Sequence, residues 1–350
     1  MSFNLSMLNH MRAISECLPR FGARAELKFD SFQIEVRSRG LYYDLIPQYA
    51  VLSKGKLVYT PYLTSNVTSF IGWRHYFNRQ WELSTQKLAF KRYCLANGVR
   101  TPALFSAPEE VTTDVIIKRT RSSFGEGISG PFSAADARAL NRPLETGEYY
   151  DQFINGDIAK IWYWEDKPVC LEIKPMVYVT GVGEQTLRDL ITEIRSSFVP
   201  VEWGSVEALA RYQGLSLDSV VVEGQRVLVD FRWLSSLHPS HLNNSNVLPT
   251  FQGSAREQME RAGSIFWAGI PKGIGSKILY TIDAVIDPNQ NVWFLEMNSN
   301  PVVHPDAYAA MFEGLFGPPE AVARPAGVPG ARSPDPVIVH PSLMPARQVP

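Results

Sequence analysis

Cysteine is scarce. The 350 residues hold three, Cys17, Cys94 and Cys170, far apart in the chain. An odd, scattered set builds no disulfide framework and lacks the paired spacing of a zinc site. These thiols read as small core residues of a reduced, cytoplasmic protein. An excess of charge of one sign is missing too. Thirty-four Lys and Arg stand against 35 Asp and Glu, a formal net charge of −1. A nucleic-acid partner held by a strong global field is therefore not expected. No apolar run reaches the ~18–20 residues of a membrane-spanning helix. The start, MSFNLSMLNHMRAISECLPR, has no long apolar core ahead of a small-residue cleavage site, so no signal peptide is expected. No internal repeat is evident. What is present is ordinary for a soluble globular chain, 45% hydrophobic and 20% charged. The length suffices for two or three domains around real cores.

Strand-like and helix-like segments alternate along the chain. The first 83 residues mix short runs such as SFQIEV and KLVYTPYL with turn signals, and read as a small N-terminal domain. STQKLAFKRYCLANGV predicts a helix with Ser84 as N-cap and Asn-Gly as its stop. TDVIIKR predicts a short strand, followed by the Gly/Ser-rich loop TRSSFGEGISG. YYDQFINGDIAKIWYWEDKPVCLEIKPMVYV predicts three strands separated by NGD and EDKP turns. Thr186 caps an amphipathic helix, GEQTLRDLITEI. DSVVVEGQRVLVDFRWL reads as a hairpin around EGQ. A long polar loop then leads to a helix over about 254–267, the hairpin KILYTIDAVIDPNQNVWFLEMN, and the closing helix PDAYAAMFEGLF. Residues 317–350 hold nine prolines and read as a disordered tail. Hairpins mixed with helices place the chain in the α+β (mixed α/β) class.

The second hairpin carries the chemistry. Turning it around Asn289 and Gln290 opposes Ile286 to Trp293, Val285 to Phe294, Asp283 to Glu296 and Thr281 to Asn298. The period of two puts Thr281, Asp283, Glu296 and Asn298 on one face. Opposed carboxylates about 5 Å apart repel by roughly 3 kcal/mol at an effective dielectric near 20. Protonation of one acid offsets this, and so does a cation. Asp, Glu and Asn oxygens suit magnesium shared with phosphate oxygens. The bland alternative is a pair of solvated acids at a hairpin end.

A magnesium site with few protein ligands calls for a phosphorylated partner. Lys118 closes the strand VIIK directly before the Gly/Ser loop, whose backbone N–H groups can wrap phosphates. It lacks the GK[ST] ending of a P-loop. Lys87 starts a helix and Lys174 ends LEIK; each alone reads as a surface lysine. DQFINGD offers a backbone edge for an adenine, with Asp157 placed to accept from ribose hydroxyls.

In this order the pieces resemble the ATP-grasp superfamily of carboxylate–amine ligases over about 80–315. IKPMVYVTGVGEQTLRDLI and GLSLDSVVVEGQRVLV look most like the ATP-grasp region of cyanophycin synthetases, and more distantly like D-alanine–D-alanine ligase. The resemblance implies two α+β subdomains over 84–316 that hold ATP between them, with a lid at about 112–180. It implies that Lys87 and Lys118 hold the α- and β-phosphates and that Lys174 sits near the transferred phosphate as a catalytic group. It puts Gln152, Phe153 and Ile154 along the adenine and Asp157 on the ribose. The loop with Ser122, Ser123, Gly125 and Gly127 would close over the triphosphate. Asp283, Glu296 and Asn298 would carry one or two magnesium ions, with manganese able to substitute. The implied chemistry is an acid–amino-acid ligation through an acyl phosphate, with small amino acid or peptide substrates, no membrane or nucleic-acid partner, and a homodimer as one assembly.

Departures from the family pattern fall on the substrate side. Thr281 stands where relatives often carry Arg, and Val302 where glycine is usual. The polar loop with Arg232, His238, His241, Asn244 and Asn246 replaces the relatives' substrate-contacting pattern. Arg232 is the first candidate clamp for a substrate carboxylate. Asn246 and His304 are further substrate candidates, His304 as a proton-transfer group. Two other readings fit the same residues: an ATP-binding regulatory or scaffold module without ligase activity, and an ATP-grasp kinase.

Overall fold

The computed structural model describes residues 3–53, 56–120, 127–140, 144–195, 200–235, 237–238 and 245–319. A first helix, α1 (Phe3–Cys17), precedes five antiparallel strands, β1 (Arg24–Lys28), β2 (Gln33–Ser38), β3 (Leu41–Ser53), β4 (Lys56–Thr60) and β5 (Val67–Arg74). β3 is long enough to pair with β2, β4 and β5. Two helices follow, α2 (Glu82–Thr85) and α3 (Lys87–Ala96). A second antiparallel sheet, ordered β6-β9-β7-β8, contains β6 (Leu104–Phe105), β7 (Val115–Arg119), β8 (Ser129–Phe132) and β9 (Glu148–Gln152), with α4 (Ala134–Ala139) before β9.

The chain then enters a central sheet through β10 (Asp157–Trp164) and β11 (Lys167–Lys174). It leaves for β12 (Val177–Thr180), α5 (Leu187–Ile194), α6 (Trp203–Tyr212) and β13 (Arg226–Asp230), where β12 and β13 pair. It returns through α7 (Ser254–Ala268), β14 (Leu279–Ile286) and β15 (Val292–Asn298), and the described part ends after α8 (Ala307–Phe316). The central order is β11-β10-β14-β15, antiparallel throughout. The fold is thus a mixed α/β arrangement of antiparallel sheets.

The central sheet is apolar on both faces, and alternation decides which core each residue joins. Ala159, Ile161 and Tyr163 of β10 join Tyr280, Ile282 and Ala284 of β14 beneath Phe90 of α3 and Met259 and Phe266 of α7. Trp162, Trp164, Cys170 and Leu279 point the other way, into a core with Ile14 of α1 and Met311, Phe312 and Leu315 of α8. Val36, Leu45, Tyr49 and Trp73 of the first sheet share that second core, so the first 83 residues pack on the central sheet.

Two glycines let helices press on the β10–β11 hairpin from opposite sides. A Cβ at Gly263 of α7 would lie 2.1 Å from the Asp166 carbonyl oxygen, and one at Gly314 of α8 would lie 2.1 Å from Trp164 Nε1. Alanine favours a helix over glycine by about 1 kcal/mol, but here the contact decides the sign. Gly263→Ala is expected to lower stability by about 1–3 kcal/mol, read as a lower urea midpoint.

Three local expectations are corrected. Ser84 does not cap α3: it lies in the short helix α2 and bonds Trp81, and Gln86 is the residue before α3. The hairpin expected around Glu223-Gly224-Gln225 does not form. β13 pairs with β12 instead, and Val220 makes only an isolated bridge to Thr186. The fragment therefore satisfies its backbone against chain that is not its sequence neighbour. The YYDQ…VYV stretch folds as four strands, not three, because β12 leaves the central sheet to meet β13. The N-cap expected at Thr186 is present, its hydroxyl accepting from the Asp189 N–H. Of the Pro-rich stretch, the part beyond residue 319 lies outside the described residues.

Candidate functional site

The β14–β15 register opposes Asp283 to Glu296 and Thr281 to Asn298. It differs from the sequence expectation nearer the turn. A bulge leaves Leu295 as an extra residue, so Ala284 opposes Phe294, Val285 opposes Trp293 and Ile286 opposes Val292. The bulge returns Phe294 to the core while Val285, Leu295 and Glu296 all line one cleft.

That cleft, of about 2160 Å³, lies between the central sheet, the β6–β9 sheet and the N-terminal part of the chain. Ligand pockets commonly measure ~300–1,000 Å³, so there is room for a nucleotide and a second reactant together. Its floor is one row of side chains crossing all four central strands. Glu172 opposes Lys160, Lys160 opposes Asp283, and Asp283 opposes Glu296. With strands ~4.8 Å apart, the row spans about 14 Å. The same face carries tryptophans nearer α8 and charges here, so the switch from core to site occurs along a single strand face.

The bare pair of acids expected from the sequence is not bare. Lys160 Nζ lies 2.7 Å from Asp283 Oδ1, and Lys87 Nζ lies 3.2 Å from Glu296 Oε2. The Asn298 amide donates to Asp283 Oδ2 at 3.2 Å. The cations that offset the repulsion are the protein's own ammonium groups. Burial alone would lower the Lys160 pKa; Asp283, helped by Glu296 and Glu172, outweighs it and raises it. Lys160 had no place in the sequence reading. Only the pairing of β10 with β14, more than a hundred residues apart, brings it to Asp283.

A second pairing anchors the opposite wall. Asp151 of β9 is fully buried, with Lys91 Nζ 2.7 Å from one oxygen and Lys118 Nζ 2.8 Å from the other. Burial would raise its pKa, but the two ammonium groups dominate and hold it below its ordinary value. Lys91 is itself buried and also donates to Thr101 Oγ1 and the Pro102 carbonyl. Lys118 lines the cleft. Neither Asp151 nor Lys91 was singled out from sequence. The signal was there: one acid inside the strand EYYDQ and one lysine on the inward side of the helix KLAFKRYCLA.

Lys174 lines the cleft with its ammonium 4.2 Å from the Trp233 ring centre, and donates to the Trp233 carbonyl at 3.4 Å. Burial lowers its pKa and Glu172 partly restores it. Gln152, Phe153 and Ile154 line the cleft, with the Gln152 side-chain oxygen Oε1 accepting from the Ala103 N–H. Asp157 does not: it is exposed and lies outside the cleft lining, because alternation along β10 aims Ile158 and Lys160 inward. Gly127 is exposed, at φ 69°. Ser122, Ser123 and Gly125 lie outside the described residues, as do His241 and Asn244.

The substrate candidates are already engaged. Arg232 lines the cleft but binds Asp230 through Nε at 2.9 Å and Nη2 at 3.1 Å, and contacts Glu202 through Nη1. Asn246 Oδ1 accepts from the Leu171 and Leu248 N–H groups, tying the polar loop to β11. His238 Nε2 lies 3.3 Å from the Arg232 carbonyl. His304 is buried, packs edge-on against Trp162 and accepts from the Asp306 N–H through Nδ1 at 3.1 Å.

Among the described residues no group of three or more His, Cys, Asp and Glu side chains stands ready for a metal, and no helix is long and apolar enough to cross a membrane. Asp283, Glu296 and the Asn298 carbonyl nevertheless supply hard oxygen donors on one cleft-facing surface, few enough to leave positions for phosphate. This donor set fits magnesium, which would compete with Lys87 and Lys160 for the same oxygens.

No family model matches the chain, and no curated protein matches it. Among solved structures it is similar to a bifunctional glutathione synthetase from Pasteurella multocida, at a TM-score of 0.40 and 14% identity over 89% of this chain and 44% of that one. D-alanine–D-alanine ligase from Bacillus anthracis follows at 0.36 and 10%, covering 67% of this chain and 64% of the other. An L-amino acid ligase from Bacillus licheniformis gives 0.33 and 10%, over 67% and 46%. The chain thus spans less than half of the first of these proteins. These similarities are distant, and the functional reading rests on the cleft's own residues.

Proposed function

We propose that this chain is an ATP-grasp ligase that joins a carboxylate to an amine through an acyl phosphate, releasing ADP and phosphate. The observation that carries the reading is the facing of two charged walls across one cleft. Lys118, set by buried Asp151, stands on one side, and Lys87, Lys160, Asp283 and Glu296 stand on the other. A triphosphate needs a cation-rich seat and hard oxygen ligands for its metal, and this cleft supplies both.

Lys87, Lys118 and Lys174 would neutralise phosphate oxygens, while Gln152, Phe153, Ile154, Val285 and Leu295 would border the base. Asp283, Glu296 and Asn298 would hold magnesium, which draws charge from the transferred phosphoryl group when bound. The protein's contribution is then position and charge rather than covalent chemistry. The substrates would be small amino acids or peptides. Since Arg232 is already paired with two acids, a substrate carboxylate would have to displace Glu202 to reach it.

A second reading has its own support. With Asp283 and Glu296 already neutralised by lysines, the cleft is stable without a metal, as in a nucleotide-binding module that does not turn over. Incubation with ATP, magnesium and pooled amino acids separates the readings. Ligation yields ADP and free phosphate that depend on the pool. Tight ATP binding with neither product supports the binding module. ADP with a phosphorylated product and no free phosphate supports a kinase.

A further inference from the structure

One buried acid of the floor stands outside the set of candidate nucleotide and metal residues. Glu172 sits on β11 at the far end of the charged row, 4% exposed, yet it lines the cleft. Asp283 lies one strand beyond Lys160, so Glu172 does not touch the candidate metal ligands. Lys160 faces it from β10 and Lys174 stands two residues along its own strand. His304 faces it from the segment before α8, with Nε2 3.6 Å from Glu172 Oε1.

The orientation of His304 is set from behind. Its Nδ1 accepts the Asp306 N–H, so a neutral ring carries its hydrogen on Nε2, the atom aimed at Glu172. Trp162 packs against the ring at 5.4 Å and donates through Nε1 to the Val302 carbonyl at 2.8 Å, which holds this segment against the sheet. The same end of the cleft is lined by Ser6, Asn9 and His10 of α1. His10 is the titratable neighbour from that helix; its ring hydrogen-bonds Tyr308 at 3.0 Å, and burial, with His304 adding to it, lowers its pKa to about 4, leaving it neutral.

Resting on the ligase reading above, we infer that Glu172, positioned by His304, takes the proton from a primary ammonium acceptor that enters over α1. An ammonium cannot attack, because its lone pair is held in an N–H bond. Transfer of one proton to the Glu172 carboxylate leaves a neutral amine and a carboxylic acid. The amine lone pair then forms the C–N bond at the acyl carbon. The C–O bond to phosphate breaks with its electron pair, and the second amine proton leaves with the phosphate. The acid suits this task, because burial pushes its pKa up to about 7, against the pull of Lys174 and Lys160.

The test compares two nucleophiles in wild type and Glu172→Gln, with ATP, magnesium and the pooled common amino acids as carboxylate donors. One arm uses the pool's own amino groups. The other adds hydroxylamine, which is unprotonated at neutral pH and needs no base. Glu172→Gln is expected to slow amide formation about 100-fold and hydroxamate formation at least tenfold less. The wild-type amide rate should rise with pH and break at about 7; the variant should show no break there and keep rising toward the amine's own pKa. In His304→Phe the break should move to higher pH, since the ring nitrogen that faces the carboxylate from 3.6 Å is gone; a slower rate with an unmoved break would make His304 merely structural and overturn its positioning role. Equal losses with both nucleophiles, or an unchanged break near pH 7 in Glu172→Gln, overturn the proposal. A wild type that yields neither ADP nor hydroxamate overturns the ligase reading and this inference with it, which separates the two failures.

A measurement without turnover stands beside it. A carboxyl whose folded pKa is raised from 4.5 to about 7 contributes stability that is complete below 4.5 and is lost as pH rises through about 7. Wild type should therefore lose melting temperature across that window relative to Glu172→Gln, and parallel curves would sink the assignment.

Discussion

Asp151→Asn is expected to destabilise the chain by about 3–5 kcal/mol, because it removes the counter-charge from a buried lysine. Lys91 is 1% exposed and Asp151 is fully buried, with 2.7 Å between nitrogen and oxygen. The asparagine keeps the shape and loses the charge. Lys91 retains Thr101 and Pro102 as acceptors, but neutral oxygens do not offset a buried ammonium. Denaturant midpoints with and without Lys91→Met separate charge from shape. The double variant should recover part of the loss, because both buried charges leave together. The wild-type dependence on acid follows the same pair. A carboxyl held below its ordinary 3.8 contributes stability that is present above that value and is lost as pH falls through the lower folded value. A functional loss should accompany the structural one. Lys118 is held 2.8 Å from the other Asp151 oxygen, so a freed ammonium should bind ATP more weakly in direct titration. Unchanged midpoints in the asparagine variant would remove Asp151 as the anchor of the upper wall.

Glu296→Gln should lower magnesium-dependent ADP release on the order of 100- to 1,000-fold, the range seen when one preorganised stabilising group is removed from an active site. The fold should change little. Glu296 is 28% exposed and its Lys87 partner 17%, and an ion pair open to water contributes about 1 kcal/mol or less. Half-saturating magnesium should rise in the variant, since glutamine offers a weaker neutral oxygen. ADP release within a factor of two of wild type would remove Glu296 from the metal site and favour the binding module.

The hairpin that opens the functional reading was legible because its pattern is local. Asp283 and Glu296 fall on one face through the period of two, whatever else surrounds them. The bulge at Leu295 was not legible in the same way. Consecutive Phe294 and Leu295 break the alternation, but which of them leaves the ladder depends on whether Phe294 finds a core, and that core is built by α7. The α3 boundary was misplaced by two residues because Ser84 has a closer partner in Trp81. The EGQ hairpin failed because a turn signal brings two strands together only when no distant strand competes, and β12 competes.

Composition and local period alone determined the mixed α/β character, the amphipathic helices, the hairpin with its facing acids, and the position of Lys118 at the end of a strand. Tertiary structure alone decided which charges meet. Lys160 reaches Asp283, Lys91 and Lys118 share Asp151, and His304 turns to Glu172 across separations of 33 to more than 130 residues. Side-chain direction follows from neighbouring backbone, whereas a buried charge is stable only opposite a partner, and the partner is chosen by the packing of whole sheets.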